Sequence, residues 1–286
     1  MSYWAKVIKN IGSRIQPGWS ANAAAATFLA ILKTIKPRAA VARQNIAIAF
    51  PEKSQQEREK ILSESYENMI WTGLEFFAWQ KNPACIKDWI VEVEGEHYFD
   101  AAREAGKGTI IMTPHLGNWE LLASWLAQYH GPVTAIVRHS DSSFQKELIE
   151  SLRRTSGLKT IDKREPMTRA LGILKRNESL GILPDQHGGS EGIMVPFFGV
   201  ETSTVAGAAV FAVLTKAPII SVQIMRLAPF RFKIIIDAPL EWTKGPDRDT
   251  TIRDLTITVN KQVEKMIKRA PGQWLWQHRR FREIES

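Results

Sequence analysis

Apolar residues recur at helical spacing between residues 52 and 80, "EKSQQEREKILSESYENMIWTGLEFFAWQ", where Ile61, Leu62, Tyr66, Met69, Ile70 and Leu74 share a face. Ser54 and Glu57 form a capping-box signature ahead of them, so a long helix is predicted there. Further along, short apolar runs alternate with helical patterns. The runs 108–113, 132–138, 157–161, 179–184, 218–226 and 231–237 predict strands. The stretches 118–129, 143–155, 166–176, 203–216 and 247–269 predict helices. Such alternation predicts an α/β fold whose sheet is flanked by helices. The runs 218–226 and 231–237 face each other across Pro229 and predict a hairpin, so the sheet is mixed, mostly parallel.

The first fifty residues have a different pattern. "YWAKVIKNIGSRIQPGW" puts Trp4, Val7, Ile8, Ile11 and Ile15 near one helical face. Residues 1 to 51 hold seven basic residues (Lys6, Lys9, Arg14, Lys33, Lys36, Arg38 and Arg43) and no acid. Basic and apolar residues interleaved on a helix suit an anionic membrane surface better than DNA. The plainer alternative is a basic helix packed on the core. Residues 15–32 are uncharged and nearly long enough to span a bilayer. Gln16, Pro17, Ser20, Asn22 and several alanines make them weakly apolar, so they predict an interfacial or weakly inserted segment. The expected organisation is a membrane-associating helical segment over 1–40 and a catalytic domain over 41–286, at the cytoplasmic face, where basic flanks are retained.

Composition adds exclusions. The chain has 286 residues, 44% hydrophobic and 24% charged, with net charge +8, which is ordinary globular composition. Cys85 is its single cysteine, so an intrachain disulfide and a cysteine-based metal site are both excluded, and a reducing compartment fits. The His-Glu-x-x-His zinc motif is absent.

Candidate chemistry sits in "IIMTPHLGNWELL", residues 110–122, where an apolar run stops at Pro114 and His115 and Glu120 follows. Sites in open α/β sheets form beyond the carboxyl ends of strands. Residues five apart point about 140° away from each other on one helix. His115 and Glu120 therefore meet only if His115 lies in the turn that Pro114 and Gly117 supply, with Glu120 in the first helical turn. They would then form a general base with its orienting acid. Otherwise they are a strand-capping histidine and a glutamate favoured by the helix dipole.

Further along, Arg138 follows a strand, and "LPDQ" (183–186), "VPFFG" (195–199) with "TSTVAG" after it, and "APGQWLWQHRRF" (270–281) come in that order. With His-x4-Glu at 115–120 and "RQNIAIAFPEKSQQEREKI" at 43–61, this ordered set resembles the lipid A biosynthesis acyltransferase family, within the glycerolipid acyltransferase superfamily. The resemblance spans roughly residues 40 to 282. It implies a glycerolipid acyltransferase-like fold. It also implies transfer of a fatty acyl chain from acyl carrier protein or a coenzyme A thioester to a hydroxyl of a phosphorylated glycolipid acceptor, at the bacterial inner membrane. His115 would take the hydroxyl proton and Glu120 would orient His115, with no acyl-enzyme, metal or further cofactor. Arg138 would stabilise the oxyanion or bind phosphate, or is a strand-end salt bridge. Asp185 would hold Arg138 or an acceptor hydroxyl, or is an ordinary loop residue beside Gln186. Lys163, Arg164, His278, Arg279 and Arg280 are candidates for acceptor phosphates or for acidic acyl carrier protein, or are solvated charge. Phe198 and Phe197 would wall an acyl channel or belong to the core. The motif fixes the reaction better than the acceptor, so another lysophospholipid or glycolipid remains open.

Two rival readings have sequence support. "GGSEG" at 188–192 matches the Gly-x-Ser-x-Gly of serine hydrolases, yet "IMVPFFG" follows it where an elbow needs a helix. A non-enzymatic membrane- or RNA-binding protein would use the basic residues alone. The chain has no RNA-binding signature, so no nucleic-acid partner is expected, and its ten tryptophans suit a lipid interface better.

Overall fold

Helices α1 (Trp19–Ile35) and α2 (Ala39–Ala49) precede α3 (Gln55–Ala78) in the computed structural model, which describes residues 10, 12–138, 140 and 142–284. Trp4, Lys6, Val7, Ile8, Lys9 and Ile11 of the predicted amphipathic face lie outside the described residues. The capping box forms as its signature predicts. The Glu57 N–H donates to Ser54 Oγ, and the Ser54 N–H donates to Glu57 Oε2 at 2.8 Å. α1 packs on α3 through Ala21 and Ala25, while Trp19 stays 84% exposed and Phe28, Ile31 and Ile35 are exposed as well. No helix among the described residues is long and apolar enough to cross a membrane. α2 was not legible beforehand, because its alanine-rich sequence has little amphipathic contrast.

The rest of the chain follows in the order α4 (Cys85–Trp89), β1 (Ile90–Glu94), α5 (His97–Glu104), β2 (Thr109–Met112), α6 (Trp119–Tyr129), β3 (Val133–Val137), α7 (Ser143–Thr155), β4 (Lys159–Asp162), α8 (Met167–Lys175) and β5 (Ser179–Ile182). Then come β6 (Ile193–Phe197), β7 (Val200–Thr204), α9 (Gly207–Thr215), β8 (Ile219–Ala228), β9 (Arg231–Ile236) and α10 (Arg248–Arg269). The main sheet has the order β1-β9-β8-β2-β5-β3-β4. Strands β8, β2, β5, β3 and β4 run parallel, and β9 and β1 run the other way. The sheet is therefore mixed and mostly parallel, as the alternation predicts, and β8–β9 is the expected hairpin, turning at Pro229 and Phe230.

Alternation along the central strands sorts their side chains into two cores. Ile110, Met112 and Ile219 pack on one side with α8, α9 and α10; Ile111, Ile220 and Val222 pack on the other with α3 and α6. Burying each such side chain contributes about 1.5–3 kcal/mol. The predicted helix over 203–216 begins later, at Gly207, because Val200–Thr204 pairs antiparallel with Ile193–Phe197 as a separate two-stranded sheet. Pro196 and Phe197 are thus strand and Phe198 starts the turn, and the hairpin rather than a helix follows "GGSEG".

Glu75 and Arg226 tie α3 to β8 through a buried ion pair. Arg226 Nη2 and Nε donate to the Glu75 carboxylate at 2.7 and 3.1 Å. The Phe230 N–H (3.1 Å) and Asn118 Nδ2 (2.8 Å) donate to the same carboxylate, which is fully buried. A buried ion pair holds only while both partners are present, since a lone charge cannot be solvated there. Glu75→Ala is expected to lower the unfolding free energy by about 3–5 kcal/mol, read from urea denaturation; a loss within error of zero would contradict this.

Candidate functional site

β2 ends at Met112, and the chain turns through Thr113–Asn118 before α6 begins. Gly117 makes the turn possible. Its φ is +61°, and a Cβ there would lie 2.1 Å from the Ile224 carbonyl oxygen. The Gly117 N–H donates to the Gln273 carbonyl at 3.0 Å, and its own carbonyl accepts from Asn68 Nδ2 (3.1 Å) and Thr72 Oγ1 (2.9 Å). Asn118 caps α6, its Oδ1 accepting the Leu121 N–H at 3.0 Å. The catalytic-looking turn is thus held from behind by α3 and from the side by the segment 271–277.

His115 lies in that turn, its side chain 20% exposed. Its partner is Asp185, two residues past Leu183 in the loop after β5, the strand next to β2. His115 Nδ1 lies 2.9 Å from Asp185 Oδ1, and the His115 N–H donates to Oδ2 at 2.8 Å. The Trp274 indole N–H donates to the same Oδ2 at 2.7 Å. Asp185 is almost fully buried, and burial alone pushes its pKa up. The three hydrogen bonds, together with the charge that His115 carries when it is protonated, outweigh that and hold it below the usual carboxylate range. An ionised Asp185 only accepts, so Nδ1 carries the proton and Nε2 keeps its lone pair. Gln186 Nε2 stands 3.5 Å from His115 Nε2, a long contact that an incoming hydroxyl can displace, and Trp119 sits edge-on to the ring at 5.3 Å.

The partner expected for His115, Glu120, is elsewhere. Asn118 starts the helix at Trp119, so Glu120 is the second helical residue and reaches α7. There it accepts from Arg153 Nε (3.0 Å) and Nη2 (2.5 Å), and it makes no hydrogen bond to His115. The histidine and the acid do lie in turn and first helical turn, as the spacing requires, but the carboxylate bonded to the imidazole is that of Asp185. Both oxygens of Asp185 are engaged by His115 and Trp274.

Other expectations also need correction. Arg280 is fully buried and no surface phosphate ligand. Its guanidinium donates to Thr202 Oγ1 (3.2 Å), the Ser203 carbonyl (2.8 Å) and Thr204 Oγ1 (2.7 Å), and lies over the Phe197 ring. It fastens the C-terminal segment to β7. His278 is half-buried near Asp185 and His115, and burial, opposed by Asp185, pulls its pKa down to about 4. It is neutral at neutral pH and offers a phosphate no standing charge. Phe197 is core, whereas Phe198 is half-buried, edge-on to Phe50 at 6.0 Å, with its N–H bonded to Glu264. Arg138, after β3, and Lys163 and Arg164, after β4, are exposed at the same end of the sheet as His115, and Arg164 forms a two-point pair with Asp162. Arg279 is exposed. Ser190 lies in a short 3₁₀ turn leading into β6, so the strand–serine–helix elbow of a hydrolase is absent there. Trp274 and Trp276, counted among the tryptophans suited to a lipid interface, are buried instead, and the contacts of Trp274, Asn68 and Asn118 around the His115 turn were missed. The only sequence signal for Trp274 is its place in the "APGQWLWQHRRF" block.

A family model described as "Bacterial lipid A biosynthesis acyltransferase" matches residues 2–283. The chain is 29% identical over 255 residues to a lipid A biosynthesis palmitoleoyltransferase of Escherichia coli (strain K12), covering 87% of this chain and 80% of that protein. It is 27% identical over 258 residues to a lipid A biosynthesis lauroyltransferase of the same organism, covering 88% and 81%. A phosphatidylinositol mannoside acyltransferase of Mycolicibacterium smegmatis is 29% identical over 128 residues, covering 43% of this chain and 42% of that protein.

The Asp185 carboxylate stabilises the fold above its unfolded-state pKa, because its folded value is depressed. That contribution disappears as pH falls from about 4 through the lower folded value. Unfolding free energies measured by urea at pH 7 and pH 3 are expected to differ less in Asp185→Asn than in the unsubstituted chain. Equal differences would contradict the assigned ionisation.

Proposed function

Because the chain belongs to the bacterial lipid A biosynthesis acyltransferase family, and is thus an acyltransferase, we propose that it moves a fatty acyl chain from a thioester of acyl carrier protein or coenzyme A to a hydroxyl of a lipid A precursor. The observation that carries the mechanism is the orientation of His115: Nδ1 committed to Asp185, Nε2 left as a base beside a displaceable Gln186. Nε2 takes the hydroxyl proton as the acceptor oxygen forms its bond to the thioester carbonyl carbon. The resulting oxyanion collapses, the carbon–sulfur bond breaks, and the imidazolium returns its proton to the departing thiolate. Asp185 stabilises the imidazolium during this cycle without itself taking the proton. The thioester supplies the activated acyl group, so the step asks for no metal or further cofactor.

The other roles follow from position. Arg138, Lys163 and Arg164 stand at the His115 end of the sheet, where acceptor phosphates or acidic acyl carrier protein would meet them. The exposed Trp19, Phe28, Ile31 and Ile35 of α1, followed by Lys36 and Arg38, suit an anionic phospholipid surface at the cytoplasmic face of the inner membrane. The partial likeness to a mannoside acyltransferase favours one second reading, transfer to another glycolipid acceptor by the same chemistry.

His115→Ala is expected to lower turnover by about 10²–10⁴ and to lower the melting temperature as well, because the buried Asp185 carboxylate loses one of its three donors; near-normal turnover with acyl thioester and acceptor would overturn the base assignment. Mass spectrometry of lipids from cells lacking the gene is expected to show lipid A short of one acyl chain. Intact lipid A with an altered glycolipid would move the acceptor to the second reading.

A further inference from the structure

A cleft of about 690 Å³ does not open on His115. Thr134, Lys159 and Glu178 line it, at the start of β3, the start of β4 and just before β5. These are the amino ends of the strands, and the chemistry sits at the carboxyl ends. A four-residue strand alone separates the two ends by about 13 Å. β4 is the edge strand, so its outer side carries no neighbouring strand.

Five basic and two acidic side chains line this cleft, and hydrogen bonds fix how two of the arginines are used. Arg153 spends Nε and Nη2 on Glu120. Arg176 spends Nε and Nη2 on Glu178 at 2.9 and 3.3 Å. Each guanidinium is thereby held in one orientation with Nη1 left over as a donor. Arg154 and Lys159 are exposed in the cleft and form no ion pair within 4.0 Å among the described residues, although the Lys159 charge is felt by Glu178. Gly172 lies inside α8 on the wall. A Cβ there would meet only Arg176 Nη1, at 3.5 Å, and the backbone there is ordinary helix, so packing does not require the glycine. A glycine in a helix interior costs about 1 kcal/mol relative to alanine; here it leaves the space in front of Arg176 Nη1 open.

We propose that this cleft is a second, anion-binding site that takes a phosphate-bearing polar group on Arg154, Lys159 and the Nη1 donors of Arg153 and Arg176. The volume is that of a small-molecule site rather than of a lone ion. Phosphate is favoured over carboxylate because three acceptor oxygens match several converging N–H donors. A soluble phosphorylated compound and a phosphorylated lipid headgroup share this chemistry. The inference does not rest on the acyl-transfer reading, and its test does not need turnover.

Isothermal titration of the full chain with inorganic pyrophosphate is expected to show saturable binding. The double variant Arg154→Gln, Lys159→Gln should weaken it by about tenfold or more. Gly172→Leu, which fills the wall with a good helix former, should abolish it while the far-ultraviolet circular dichroism stays that of the unsubstituted chain. Flotation with phosphatidylcholine vesicles containing phosphatidic acid identifies the source: vesicle binding weakened by the same variants assigns a lipid headgroup, and pyrophosphate binding alone assigns a soluble ligand. No saturable binding to either probe, or binding unaltered in both variants, overturns the site.

Discussion

A buried carboxylate organises this molecule. Asp185 has lost its water, and an anion without water is unstable unless protein donors replace the solvent. It is given three: the ring and the backbone N–H of His115, and the indole of Trp274. Those donors come from the turn after β2 and from the C-terminal segment, while Asp185 itself follows β5. Meeting the needs of one charge therefore brings three distant parts of the chain to one point and fixes the tautomer of the histidine.

The turn carrying His115 is built to tolerate no drift. Its glycine carbonyl is held by two side chains of α3, its glycine N–H by Gln273, and its asparagine by Glu75. Glu75 is in turn held by Arg226, so the same buried pair that stabilises the fold also supports the site. Such support from neighbouring residues fixes the His115 ring in one position and orientation. The polar cluster of Ser221, Asp237, Gln262 and Arg269 secures α10 to β8 and β9 in the same manner.

Periodicity made the sheet readable. The six predicted strands all exist, and a buried strand such as β2 announces itself by continuous apolar residues. β1 and the β6–β7 hairpin did not, because they are short and mix charged, proline and threonine positions. In the site, His115 was legible from its place at a strand end, and "LPDQ" was legible as sharing that end. Which acid meets the imidazole was not. Spacing in sequence suggests Glu120, but the partner is decided by neighbouring strands, and β5 lies beside β2 only because the chain returns to insert it between β2 and β3. Arg280 misled for a related reason, since a run of His-Arg-Arg reads as surface charge until the hairpin that buries one member is known.

The arrangement around Asp185 also bears on how the chain acquires its shape. His115 and Asp185 are 70 positions apart, and Asp185 and Trp274 a further 89. Contacts between such remote positions form late, since long loops must close before they are rewarded. During synthesis the strands and most of their helices emerge well before residue 274 does. Until that tryptophan docks the buried aspartate stays one donor short, so the stretch around residue 274 completes the charge's environment last.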